Sequence, residues 1–489
     1  MSRTVLPDDI LGDIFLSVIV DTFFAVLLER SQNNPSATTT AVRLSAVSNH
    51  WRSVALFTPR MWSYITITYG VSSAQPWDPH PYLLAYSLAR ARNVALSLRI
   101  DAPCTLSNEP PHVWDALAEQ IMAVTGSLEV TSMVHPGHKL QITAENALSL
   151  LLFKPSPYLT RLKYSMEHPS SRKSQSSLIK ITDWREVDGN ILPYAPLLVD
   201  LELKNFGGLQ LGMLRPETMR NLRRFASRIF QSSLRIADVL ISAPELEDIE
   251  LGYSEPDDLS FTSSHSRVAR KLVSLRGASK ILMQLDRAHV PNLHTIHLAN
   301  EDGGFEAVHL ARFFDSTPYL ALEHLILPFS DQNDSDQLAA TIPLFRYMPN
   351  IQTLRLPSFP PEYGLFSQWA HPENVALLPN LRKIEFSKMQ LFNLNKIPVI
   401  EQLEEAAVIQ FLELRRTAMS ETCDSSKRLP ITVEIGVRRC AAAAEQICEL
   451  LGRYVVAIRV VGSAQHEQPG SHLLEVRDGS RQAHLFQNS

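Results

Sequence analysis

The sequence predicts an α/β protein: a helical module at the N-terminus, then a solenoid of parallel strands with its sheet on the concave face. Three observations predict it. The pattern Pro-x-Leu-x-x-Leu-x-Leu recurs through the middle of the chain. Before the first copy, β-branched runs alternate with helical ones, the pattern of parallel strands joined by crossover helices. At the front stand two short apolar stripes at helical spacing, residues 6–15 and 42–55. Helices this short cannot bury a core by themselves.

In Leu6-Pro7-Asp8-Asp9-Ile10-Leu11-Gly12-Asp13-Ile14-Phe15, Pro7 suits a first helical position, where its missing N–H is not needed. Asp8 and Asp9 place negative charge where the helix dipole favours it. Ile10, Leu11, Ile14 and Phe15 then fall on one apolar stripe. In the second stretch Thr38, Thr39 and Thr40 offer N-cap oxygens. Leu44, Val47, Trp51 and Val54 recur at helical spacing, and Pro59 ends the run. Residues 10–28 are apolar enough to raise a membrane span or leader. Asp13 and Asp21 oppose it, since a central Asp costs about 2.5–3.5 kcal/mol on insertion. The preceding residues are not strongly basic, and no clear small-residue cleavage site follows.

Read together, Leu6-Pro7-x-x-Ile10-Leu11-x-x-Ile14-Phe15, Arg43-Leu44-Ser45-x-Val47-Ser48-x-x-Trp51-Arg52-x-Val54-Ala55 and Pro59-x-x-Trp62 resemble an F-box. That is the short helical module by which substrate receptors dock on the adaptor of cullin–RING ubiquitin ligases. The resemblance covers residues 4–66. It departs from the family at Ser48, where Cys is frequent, and in an insertion near 21–40. It implies an adaptor-binding set of Leu6, Pro7, Ile10, Leu11, Ile14, Phe15, Leu44, Val47, Trp51 and Val54. It also implies an SCF-type substrate receptor with no catalytic residues of its own, since such a receptor supplies proximity while other subunits do the transfer.

After Trp62, Tyr64–Tyr69 reads as a strand, Tyr82–Ala91 as a helix and Val94–Ile100 as a strand. Val113–Val124 reads as a helix and Lys139–Ile142 as a short strand. The repeat then begins. Its copies start at Pro157, Pro196, Pro244, Pro291, Pro318, Pro349 and Pro379, with copies lacking proline at Asn221 and Lys271. Most steps are about 22–40 residues, too short for four-stranded propeller blades. The signature resembles an irregular leucine-rich repeat. In Leu-x-x-Leu-x-Leu the last two apolar residues point inward from a short strand, and neighbours must stack to cover them. Leu310, Phe313, Phe345 and Tyr347 are expected on connecting helices. The x positions face the concave surface: Arg161 and Lys163, then Asp200 and Glu202, then Arg224, then Asp248 and Glu250. They predict a weakly acidic central patch flanked by basic ends, suited to a basic target segment. His297 and Arg355 complete the expected target-binding set.

Toward the C-terminus Ile400–Leu414 reads as a helix ended by Arg415 and Arg416. Ile431–Ile435 and Val455–Val461 read as strands around a helix at Ala441–Leu451. The expected organisation is residues 1–66 as the docking module, 67–395 as the solenoid, 396–465 as its cap, and 466–489 as a polar tail.

Composition narrows the partners. With 489 residues, 45% hydrophobic and 20% charged, the chain has the makeup of a globular protein. A net charge of −5 and a pI near 6.4 point to neither nucleic acid nor membrane. Thirty-one prolines against 18 glycines fit a chain that turns often. Cys104, Cys423, Cys440 and Cys448 are too few and scattered for a disulfide framework or a zinc site. A reducing compartment follows, cytoplasm or nucleus. His135-Pro136-Gly137-His138 lacks a third metal ligand nearby, and Asp331–Asp336 lacks the spacing of a calcium loop. No phosphate-loop, dinucleotide, nucleophile-elbow or zinc-protease motif occurs, so no cofactor is expected. The partners expected are the adaptor and a protein target. The alternative is a repeat scaffold unconnected with ubiquitin, its N-terminal helices serving only as a cap.

Overall fold

The computed structural model describes residues 6–25, 36–68, 81–103, 118–133, 151–167 except 153, 192–204, 214–230, 236–254, 269–299 except 286, 306–327 except 316, 340–356, 365–386, 407–415, 417, 432–437, 457–462, 472–475 and 484–487. The chain divides into two compact units. One is Met1–Leu246 with Ser254–Pro256; the other is Glu247–Tyr253 with Asp257–Ser489.

The first unit opens with three helices, α1 (Asp8–Ala25), α2 (Ala37–Ala46) and α3 (Asn49–Phe57). The stretch 42–55 is therefore two helices. Ser48 breaks it: its backbone is extended, and its hydroxyl accepts the Trp51 N–H at 3.1 Å. Ser36, not a threonine of 38–40, caps α2 by accepting the Thr39 N–H at 3.1 Å. Residues 21–25 of the expected insertion continue α1, and 37–40 begin α2. A 3₁₀ turn at Pro59–Trp62 follows, and Trp62 Nε1 donates to the Ala55 carbonyl at 2.7 Å. Helix α4 (Pro81–Ala91) brings Tyr86 edge-on to Trp62.

Six strands then run parallel: β1 (Tyr64–Thr68), β2 (Leu96–Pro103), β3 (Thr125–Met133), β4 (Arg161–Glu167), β5 (Asp200–Lys204) and β6 (Arg224–Phe230). Register places Ile65, Leu98, Leu128, Leu162, Leu201 and Phe225 in one row, and all six are buried. Strand β3 stands where no strand is expected. Its signal is the alternation of Leu128 and Val130, which follows directly on the preceding helical segment. Gly126 is the extra residue of a bulge against β2; a Cβ there would lie 2.9 Å from that of Ala95. The expected strand at Lys139–Ile142 lies outside the described residues, as do residues 113–117 of the helix before it. Two further helices, α5 (Pro216–Met219) and α6 (Ile236–Ser242), complete this unit.

The second unit repeats the plan with β7 (Asp248–Ser254), β8 (Ser274–Gly277), β9 (Thr295–Leu298), β10 (His324–Ile326), β11 (Thr353–Leu356), β12 (Lys383–Phe386), β13 (Thr432–Val437) and β14 (Ala457–Gly462), all parallel. Ile249, Leu275, Ile296, Leu325, Leu354, Ile384 and Val433 form its buried row. Helix α7 (Ala307–Phe314) buries Leu310 and Phe313 as expected. Phe345 sits on a 3₁₀ segment, Ile342–Tyr347, not on an α-helix. Helix α8 (Leu365–Trp369) packs Phe366 and Trp369 against Phe411 of the helical stretch 407–415. The expected helix at Ala441–Leu451 lies outside the described residues. Strands β15 (His472–Glu475) and β16 (His484–Gln487) pair antiparallel after β14, so residues 466–489 are more than a polar tail.

The expected boundary after residue 66 also fails, because it cuts β1. Phe23 of α1 meets Tyr64 of β1 with ring centroids 5.4 Å apart, so the helices and first strands share one core.

All nine copies of the repeat deliver one strand each, with the leading leucine or isoleucine buried. This is the arrangement of a leucine-rich-repeat-like fold. One device was hidden in an unassigned position of the motif. Asn221, Asn292, Asn350 and Asn380 stand just before the leading apolar residue. Their amides donate to the carbonyls of Pro196, Arg270, Leu320 and Pro349, each in the preceding repeat, at 2.6–3.1 Å.

Candidate functional site

Two surfaces hold the residues singled out by the sequence. The first is on α1. Its apolar residues fall on two adjoining stripes, each with the four-residue step of a helix face. Leu11, Phe15, Ile19 and Phe23 are buried against the module. Gly12 permits the close approach of α3, since a Cβ there would meet Thr58 Oγ1 at 3.2 Å. Leu6, Ile10, Ile14 and Val18 make the second stripe, and all are exposed, Ile10 at 46% and Ile14 at 45%. Val47 and Phe57 are exposed on the same module.

The expected docking set therefore divides. Leu6, Pro7, Ile10, Ile14 and Val47 are exposed. Leu44 and Trp51 are half-buried, with the Trp51 ring 4.9 Å from that of Phe15. Leu11, Phe15 and Val54 are buried and leave the set, because they hold the three helices together. Val18 was missed; continuing the four-residue step from Ile14 would have found it.

The second surface is the outward face of the strands. In the first unit each of the expected carboxylates lies among cations. Asp200 pairs with Arg161 at 3.2 Å and Arg224 at 3.7 Å. Glu202 is buried beside Lys204 and lies 3.8 Å from Arg224, and Glu129 meets Lys163 at 2.9 Å. Burial pushes the Glu202 carboxyl up, but Lys204, Lys163 and Arg224 outweigh it and hold it below its usual value. In the second unit Asp248 is half-buried, and the buried Glu250 faces Arg276 at 3.6 Å. Asp200, Glu202 and Glu250 are thus members of charge pairs.

Between β8 and β11 the character changes. The outward positions there are Ser274 and Arg276, Thr295 and His297, His324 and Ile326, Thr353 and Arg355. They include two guanidiniums and no carboxylate. His297 is half-buried among them. Burial, then Arg276 and Arg355, push its imidazole down to about 4, so it is neutral at pH 7.

One cluster has the look of catalysis. Ser279 Oγ lies 2.9 Å from His309 Nδ1, and His309 Nε2 lies 3.5 Å from Glu306. Yet Ser279 is 1% exposed and His309 5%. The Ser279 hydroxyl also accepts the Glu306 N–H at 3.3 Å. With burial holding the imidazole neutral, the trio pins the start of α7 to the 3₁₀ segment Ser279–Gln284. A spacing of thirty residues gave the sequence no signal of it.

Arg415 closes the helical stretch 407–415. It is buried there and donates to the carbonyls of Val375, Leu377 and Leu378. Among the described residues no three His, Cys, Asp or Glu side chains are grouped to hold a metal, and no helix is long and apolar enough to cross a membrane. The four cysteines, His135, His138 and Asp331–Asp336 lie outside the described residues.

No protein-family model matches the chain, and no curated protein does. Among solved structures it is similar to a chain in the crystal structure of the mouse RP105/MD-1 complex, with 12% identity and a TM-score of 0.30. The match covers 79% of this chain and 58% of that one, so it spans under two thirds of that chain's length.

Proposed function

We propose that this chain is the non-catalytic substrate-recognition subunit of an SCF-type ubiquitin ligase of the cytoplasm or nucleus. It docks on the adaptor through the exposed stripe of α1 and holds a target protein on its strand faces. The observation that carries the reading is the row Leu6, Ile10, Ile14 and Val18 lying open beside a buried row on the same helix. A helix that only caps its own domain has no physical need for the second row, whereas a partner that covers it gains about 25 cal/mol per Å² of apolar area. The expected docking residues are now Leu6, Pro7, Ile10, Ile14, Val18 and Val47, with Leu44 and Trp51 at the margin.

Co-purification of the full chain with the adaptor tests this. Ile10→Asp and Ile14→Asp should each weaken capture at least tenfold while the melting temperature stays unchanged. Trp51→Ala is a poor substitute, because it also removes the contact with Phe15. If the intact chain captures no adaptor, the ubiquitin reading is lost and the repeat scaffold stands.

A further inference from the structure

We propose that the partner covering the α1 stripe presents an amphipathic helix whose apolar row is bordered, on one side, by lysines or arginines. This rests on the reading of the stripe as a docking surface and names the chemistry of what docks there.

The layout of α1 is the first support. Ile10, Ile14 and Val18 are followed three residues on by Asp13, Ser17 and Asp21, and Asp9 stands one four-residue step before Asp13; all are exposed. Residues three apart are neighbours on a helix face. A second row, acidic but for Ser17, therefore runs beside the apolar one with the same step. It lies on one side only, because the other side is the buried row of Leu11, Phe15, Ile19 and Phe23. Helix α1 holds no lysine, arginine or histidine. Asp8, on another face, meets His50 at 3.5 Å. Among the described residues Asp9, Asp13 and Asp21 have no ion partner.

The second support is that the helix itself gains little from this row. The dipole accounts for Asp9 in the first turn. Asp13 lies beyond that turn, and Asp21 stands close to the last one, where the dipole disfavours an anion. Asp9 and Asp13 are four residues apart, a like-charge spacing that opposes the helix. Cations supplied by a partner relieve both conflicts. The paired rows also fix the shape of what fits. An extended strand lays one row of side chains on a surface, whereas a helix offers two adjoining rows. Ridges of four-residue step on two helices interdigitate. From Asp9 to Asp21 the acidic row runs about 18 Å at ~1.5 Å per residue, which roughly three turns of a partner helix cover.

The experiment is fluorescence anisotropy with the full chain and three labelled helical peptides of about eighteen residues. Two share a leucine row and differ in the row beside it, lysine in one and glutamate in the other. The third keeps the lysines and replaces the leucines with serine. The Lys–Leu peptide should bind at least tenfold more tightly than either of the others. Asp9→Asn with Asp13→Asn and Asp21→Asn should erase the preference for lysine over glutamate while the far-UV circular dichroism of the chain stays unchanged. Asp8→Asn, which removes a charge from another face, should keep it. Ile10→Ser with Ile14→Ser should weaken binding of both leucine peptides. Equal binding of the Lys–Leu and Glu–Leu peptides, or a triple variant with the parent's preference, overturns the proposal. So does a Lys–Ser peptide that binds as tightly as the Lys–Leu one, which marks charge attraction alone. Adaptor capture is read separately. An adaptor captured without any lysine preference keeps the receptor reading and overturns this one; a lysine preference without adaptor capture does the reverse.

Discussion

Helix α1 and the strands of the second unit both carry rows of apolar residues and use them differently. Along β7–β12 alternation sends the apolar residues, Ile326 apart, to one side, and every member of the row from Ile249 to Ile384 is buried. The helix has two adjoining apolar stripes and buries one. Self-burial of the inward row is complete where the periodicity is two. On the helix it leaves a surplus, and that surplus marks the candidate docking surface.

The contrast is sharpest in stability. Leu325→Ala empties a position enclosed by the rows of β9 and β11 and should cost about 2–5 kcal/mol in urea unfolding. Equal losses from Leu325→Ala and Ile14→Ala would break the comparison. Tyr319→Phe comes next. The Tyr319 hydroxyl accepts the Leu293 N–H at 3.0 Å and donates to the Val290 carbonyl, both buried. Leaving them unmet should cost about 1–3 kcal/mol. Burial also pushes Tyr319 up to about 12. The parent should therefore lose stability as pH rises from about 10 through 12, and the Phe variant should lose less.

Asn350→Ala removes one amide bond to the preceding repeat and should cost about 1 kcal/mol. His297 supplies the acid-side test. Its folded value lies below the ordinary 6.5, so the unfolded chain binds the extra proton first. Stability is full above about 6.5 and is lost as pH falls toward 4; His297→Gln should flatten that fall. The smallest effect closes the series. Ile14→Ala should change unfolding by no more than about 0.5 kcal/mol, because nearly half of the residue already faces water.

Much of the repeat array was legible because each copy states its strand in six residues. Leu293, Ile296 and Leu298 occupy the three apolar positions of one copy, and all three are buried. What stayed hidden was set by geometry rather than by pattern. Asp200 and Glu202 read as an acidic centre between Arg161, Lys163 and Arg224 on the neighbouring strands, but the pairing of these charges is set by the register of β4 and β6. Arg415 read as a helix-end cation, yet the carbonyls that hold it lie 37–40 residues away. On α1 the apolar stripe was visible, but the division between inward and outward rows was not. An apolar residue carries no mark of whether its cover comes from its own chain.

In four of the nine repeats the asparagine amide clasps the backbone one turn of the coil behind it, across 25, 22, 30 and 31 residues. One and the same contact therefore closes steps of different length. In these four copies neighbouring strands keep step whatever the number of residues between them.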